Sequence, residues 1–177
     1  RNHPSSKNID YAYFLLGTCY YELIVDEKKD LSPLLNSKKY FKIIVKKYPN
    51  TDFALDAKFK LDLIENVLAS KEIYIGKYYV SRKKWIPAIN RFQNVVNNFE
   101  KTEYVEEAIH RLVEINYIIG LDSEARKYAA LLGYNYQSSE WYKESYRVFN
   151  KDYEDPKVKI KKNKKNIIVR SFKKLFK

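Results

Sequence analysis

The stretch 52–82 constrains this chain more than any other. Its apolar residues Ala57, Leu61, Ile64, Leu68, Ile75 and Tyr79 follow one another at spacings of 4, 3, 4, 7 and 4. That is the period of an α-helix seen from one side. Only Gly76 interrupts a run of good helix formers, and Thr51 stands where an N-cap is needed. The pattern predicts one helix of about 30 residues, about 45 Å long at 1.5 Å per residue. A stripe of that length cannot be buried locally, so other helices must cover it from end to end.

The remainder of the chain is patterned to supply them. Four punctuation points, at 48–51, 97–102, 120–123 and 133–139, separate segments whose apolar residues keep a period near 3.6. The segments predict helices over 9–25, 36–48, 85–99, 102–119, 122–132 and 139–150, with Asn8 as an N-cap and a polar insertion at 26–35 ending near Ser32-Pro33. No Val/Ile/Thr-rich run alternates with period 2, so no sheet is expected. The loops after the second predicted helix are short, which forces antiparallel neighbours and a stack of α-hairpins. An aromatic content of 16% in 177 residues excludes a disordered chain, and only four Gly and five Pro leave the helices uninterrupted.

The hairpins repeat. Gly76, Tyr79, Ala88, Phe92 and Val95 sit at the Gly, Tyr, Ala, Phe and small-apolar offsets of the roughly 34-residue tetratricopeptide (TPR) repeat, which they resemble. Small residues let two helices approach, and the rings fill the space between them. Tyr13, Leu16, Gly17 and Tyr20, then Phe41, Ile44 and Pro49, form an earlier copy whose Gly-to-Phe spacing is lengthened by the insertion. Ile109 and Leu112 with Ala125, Ala129 and Leu132 form a degenerate third copy. The fold class predicted is all-α, a TPR-like α-α hairpin solenoid with one long central helix. It occupies 1–150 and is followed by a separate tail. Such arrays bind peptides and proteins on exposed faces, while the repeat-marking residues hold the hairpins together.

Nothing in the sequence points to catalysis or to a bound cofactor. His3 and His110 are far apart, and Cys19 lies on a different helix from either. No metal-ligand spacing or Gly-rich phosphate-binding loop occurs, so neither metal nor cofactor is expected. Glu106 and Glu107 read as first-turn helix charge. The lone Cys19 reads as a small thiol buried on its helix. No run of 18 apolar residues exists. The sequence contains no Met, so a processed form or a fragment of a longer protein is expected.

The net charge of +12 is unevenly distributed. Residues 157–177 carry ten Lys/Arg and no Asp/Glu, which leaves 24 basic against 22 acidic residues in 1–156. A nearly neutral body offers no broad field for nucleic acid, and none is expected as a partner. In the tail, Ile168, Phe172, Leu175 and Phe176 fall at i, i+4, i+7 and i+8. They predict a short basic amphipathic helix, with Lys173, Lys174, Phe172 and Phe176 suited to an anionic membrane surface; a solvated tail is the alternative.

The order of motifs resembles one family. His3-Pro4 and Asn8-Ile9-Asp10-Tyr11 precede a Gly-containing helix. Then follow the polar insertion, Tyr48-Pro49-Asn50-Thr51, the long helix ending in Tyr78-Tyr79 and Arg82, and Trp85, Ala88 and Asn90-Arg91-Phe92. Leu132-Gly133-Tyr134-Asn135-Tyr136 and Trp141-Tyr142 add to the likeness. Over about residues 3–150 the chain is similar to the C-terminal repeats of the BamD family, TPR lipoproteins of the machinery that folds β-barrel proteins into the bacterial outer membrane. The departures are Glu100, where a repeat-ending Pro is usual, and the basic tail.

The resemblance implies a non-catalytic scaffold at the periplasmic face of the outer membrane. It would be anchored through a lipidated N-terminal Cys outside this chain and accompanied by other assembly-complex lipoproteins. It implies docking of the last POTRA domain of the barrel subunit BamA, with Arg91 pairing a carboxylate there and Arg82, Lys84 and Asn94 around it. From the residues alone, Arg91 stands at the edge of the stripe made by Ala88, Phe92 and Val95, where a guanidinium can form a bidentate pair. The competing reading is a cytoplasmic TPR adaptor that binds peptide tails or nucleic acid through its basic end.

Overall fold

The computed structural model describes residues 8–23 and 30–150. They form seven α-helices: α1 (Ile9–Glu22), α2 (Ser32–Lys47), α3 (Asp52–Ser81), α4 (Trp85–Asn98), α5 (Val105–Ile118), α6 (Asp122–Asn135) and α7 (Glu140–Phe149). No strand occurs among the described residues, and the architecture is the expected TPR-like helical-hairpin one. The chain divides into two compact units, with the boundary between Ala108 and Ile109 inside α5.

In the first unit α1 pairs with α2, α2 with α3, and α3 with α4. One core cluster consists of Leu34, Phe41, Ile44, Ala54, Ala57, Ile64 and Leu68, with Phe14, Phe53 and Phe99 half-buried around it. Two glycines set the helix separations. A Cβ on Gly17 would lie 2.6 Å from the Phe41 ring, and one on Gly76 would lie 2.5 Å from the Phe92 ring. Both rings are fully buried, so each glycine is the gap into which a ring is seated. The Gly17 carbonyl also accepts a hydrogen bond of 2.9 Å from Ser37, satisfying that buried hydroxyl.

The long helix is present at its predicted length, and Thr51 caps it by accepting from the Ala54 N–H. Its buried face is not a single stripe. Ala54, Ala57, Ile64 and Leu68 are buried along the first half, and Ala69, Ile73 and Gly76 along the second, while Leu61, Ile75 and Tyr79 are half-buried. The face rotates by one residue because the partner changes from α2 to α4. At the far end the chain turns through Lys83 at φ 56°, with Lys84 N–H bonded to the Tyr79 carbonyl and Lys83 N–H to that of Val80. This is the hydrogen-bond pattern that usually takes a glycine. A β-carbon in that left-handed conformation costs about 1 kcal/mol.

Four local expectations are corrected. The second helix begins at Ser32 rather than 36, because Pro33 is tolerated in a first turn, where its missing N–H has no partner to lose. Gly133 does not end the sixth helix, which continues to Asn135. Asn8 occupies the N-cap position of α1 without a side-chain capping bond. Cys19 is exposed, not buried. It lies two residues from Gly17, about 200° around the helix from the face that meets Phe41. Leu16 is exposed as well.

Candidate partner-binding site

The α3–α4 hairpin is fixed in register by Phe92 against Gly76. On α4 the buried positions Ala88, Phe92 and Val95 recur at i, i+4 and i+7. Arg91, about 100° from Phe92, therefore emerges at the edge of the packed face, on the side of α3 that carries Glu72. Arg91 Nη1 donates to both Glu72 carboxylate oxygens, at 3.3 and 3.2 Å. The Arg91 side chain is 42% exposed and that of Glu72 17%. A pair this open to water contributes under about 1 kcal/mol to stability.

Around the pair lies a groove of about 420 Å³ lined by Glu72, Tyr79, Pro87, Asn90, Arg91 and Asn94. It is polar and carries one positive and one negative charge. The two Asn side chains add amide donors and acceptors. Among the described residues, the hydrogen bonds of Arg91 use Nη1 alone, so Nε and Nη2 remain for a second carboxylate. A groove with this lining has the chemistry to accept a carboxylate.

Of the four residues expected here, Arg91 and Asn94 are brought together. Asn94 Oδ1 accepts from Asn98 Nδ2 at 2.6 Å. Arg82 and Lys84 lie at the α3–α4 turn and do not line the groove. Arg82 stacks its guanidinium 5.5 Å from the centre of the Tyr78 ring, and Lys84 is exposed at the N-cap of α4. Lys173, Lys174, Phe172 and Phe176, together with His3, lie outside the described residues. Sequence spacing does not single out Glu72, Pro87 or Asn90 as groove residues. The hairpin register does find Glu72: once Gly76 is set opposite Phe92, the residue one turn earlier on α3 faces Arg91.

The second unit holds a buried polar cluster that sequence spacing alone does not reveal. His110 Nδ1 lies 2.9 Å from Ser145 Oγ, and Nε2 lies 3.4 Å from Glu114 Oε1. Arg111 reaches the other Glu114 oxygen at 2.7 Å, and the His110 ring leans on Trp141 with 5.2 Å between centres. Nε2 faces the Glu114 carboxylate and donates to it, while Nδ1 and the Ser145 hydroxyl share a second hydrogen bond. Ser145 is 1% exposed, so this is a clamp that ties α7 to α5. Burial pushes the Glu114 carboxyl up, but the hydrogen bonds and charges of His110 and Arg111 outweigh it and hold it down at about 2, from 4.5.

Because the folded-state value is depressed, ionised Glu114 stabilises the folded unit fully above about pH 4.5, and the contribution is lost as pH falls towards about 2. Protection factors of α5 and α7 amides against hydrogen exchange should therefore fall as pH is lowered between those values, and Glu114→Gln should flatten the response. An identical acid limb in the variant would remove Glu114 as its cause. In the same unit, Gly133 receives Tyr142, with a Cβ there 2.9 Å from the ring, a third instance of the glycine–aromatic device.

Among the described residues no group of three His, Cys, Asp or Glu is placed to hold a metal ion. No described helix is long and apolar enough to cross a membrane.

Residues 1–131 match the model of a protein family described as YfiO, outer membrane lipoprotein. The chain is 44% identical over 146 residues to the outer membrane protein assembly factor BamD of Rickettsia prowazekii, covering 82% of this chain and 58% of that protein. It is 37% identical over 148 residues to BamD of Caulobacter vibrioides, covering 84% and 48%. To BamD of Neisseria meningitidis serogroup A it is 30% identical over 127 residues, covering 66% and 47%. The chain thus spans about half the length of the curated relatives it matches.

Proposed function

This chain belongs to the YfiO family of outer membrane lipoproteins, and from that premise we propose that it is a non-catalytic scaffold of outer membrane protein assembly that docks the last POTRA domain of the barrel subunit BamA through the α3–α4 groove. In this reading it works at the periplasmic face of the outer membrane, beside the other lipoproteins of the assembly complex, and is tethered by a lipidated Cys that precedes these residues.

The observation that carries the reading is the state of Arg91. Its guanidinium is half exposed in a polar groove, and only one of its nitrogens is engaged by Glu72. A buried arginine already saturated by its own chain would have nothing left to offer. A fully solvated one would lose rotamer entropy on binding before gaining a contact. Arg91 lies between those extremes, and a carboxylate from a partner completes its fork. Asn90 and Asn94 stand beside it to meet polar groups next to the carboxylate.

The test is calorimetric titration of the isolated POTRA region of the same organism's BamA into the 177-residue chain. Saturable one-to-one binding that weakens as salt is raised is expected. Absence of heat and of co-elution at high micromolar concentration would remove this docking role.

A further inference from the structure

Among the described residues, the Glu72 carboxylate is engaged by Arg91 alone. Glu72 is not needed to fill the core, since its carboxylate stands at the groove and not among the packed side chains. Yet it is only 17% exposed, and both of its oxygens are spent on one nitrogen of one side chain.

We propose that Glu72 is a positioning residue: by holding Arg91 through Nη1, it presents the Nε–Nη2 edge of the guanidinium to a partner carboxylate in the α3–α4 groove. The inference rests on reading that groove as the docking site. Two effects of Glu72 oppose each other. Its negative charge repels an incoming carboxylate, but the two anions lie on opposite sides of one cation in a groove open to water, where Coulomb terms are strongly damped. Against that, an arginine free in solvent has many rotamers, and ordering it on binding costs about two- to tenfold in affinity. Glu72 removes that cost in advance, so ordering outweighs repulsion. Tyr79 and Pro87 wall the groove and limit the directions from which a carboxylate can approach.

The experiment is a double-mutant cycle on the full chain, titrated with isolated POTRA domains. Glu72→Gln keeps the size of the side chain and removes its charge. It is expected to weaken binding about three- to tenfold, while in an Arg91→Ala background the same change has no further effect. Nitrogen-15 spectra of the Arg91 guanidinium give a readout independent of the partner: slowed rotation in the parent chain, and free rotation in Glu72→Gln. Unchanged or tighter binding by Glu72→Gln overturns the proposal. So does an equal loss in both backgrounds, which would mark Glu72 as a general support of the fold. Should Arg91→Ala itself bind as the parent does, the docking reading fails first and this inference with it; a loss with Arg91→Ala but none with Glu72→Gln condemns Glu72 alone.

Discussion

Phe92→Ala lowers the unfolding free energy of the first unit by about 3–5 kcal/mol, the largest stability change expected of any single substitution in the α3–α4 hairpin. The ring is fully buried and is seated against Gly76, which has no side chain with which to fill the space left behind. Ala88 and Val95, buried on the same face one turn to either side, already pack against the neighbouring helix, so collapse around the cavity is limited. Gly76→Ala probes the same contact from the other side. It gains about 1 kcal/mol in helix propensity. It also places a methyl group 2.5 Å from a ring atom that has nowhere to go, and overpacking of that kind costs about 1–3 kcal/mol. The overpacking wins, so Gly76→Ala destabilises despite the better helix former. Combined with Phe92→Leu, the alanine should be partly tolerated, since the shorter side chain withdraws from the new methyl group. Urea denaturation followed by circular dichroism measures all three chains. A Gly76→Ala protein more stable than its parent would show that the ring is not confined as described.

The same contact explains what can be read from the sequence. A glycine on one helix and an aromatic on the next identify two of the hairpins, because the residues around each half keep the repeat pattern even where an insertion lengthens the spacing, as it does between Gly17 and Phe41. The length of α3 is legible because 30 residues of one period have no shorter explanation. The rotation of its buried face is not, since that depends on where α2 ends and α4 begins to cover it. The exposure of Cys19 is hidden for a related reason. α1 is apolar on several sides, and nothing in its own sequence says which side meets α2. Ser32-Pro33 reads as a break because Pro is penalised inside a helix and tolerated in the first turn, and the difference is set by a start point the periodicity does not mark. Arg91 is visible as an edge residue, but Glu72, 19 positions earlier, requires the hairpin register. His110 and Ser145, 35 positions apart, belong to no motif and meet only once α5 and α7 are placed.

With the α3–α4 groove as the proposed POTRA docking site, Arg91→Glu is expected to abolish that binding while leaving the hairpin folded. Binding and folding respond to this change with different magnitudes. Removing one member of a desolvated interfacial charge pair costs about 2–5 kcal/mol, roughly 30-fold to several thousandfold in affinity. Reversal adds to this, since the groove changes from one positive and one negative charge to two carboxylates, that of Glu72 and that of the substituted side chain, facing a third on the partner. For the fold, by contrast, the Arg91–Glu72 pair is worth under about 1 kcal/mol, because Arg91 is 42% exposed. Two carboxylates at this separation relieve their repulsion by rotating into water, so melting falls by a few degrees at most. Arg91→Lys separates charge from geometry: an ammonium keeps the attraction but loses the fork, and an intermediate affinity follows. Calorimetric titration alongside thermal melting distinguishes these cases. An Arg91→Glu chain that still binds POTRA domains with the parent's affinity would show that the α3–α4 groove is not where they dock.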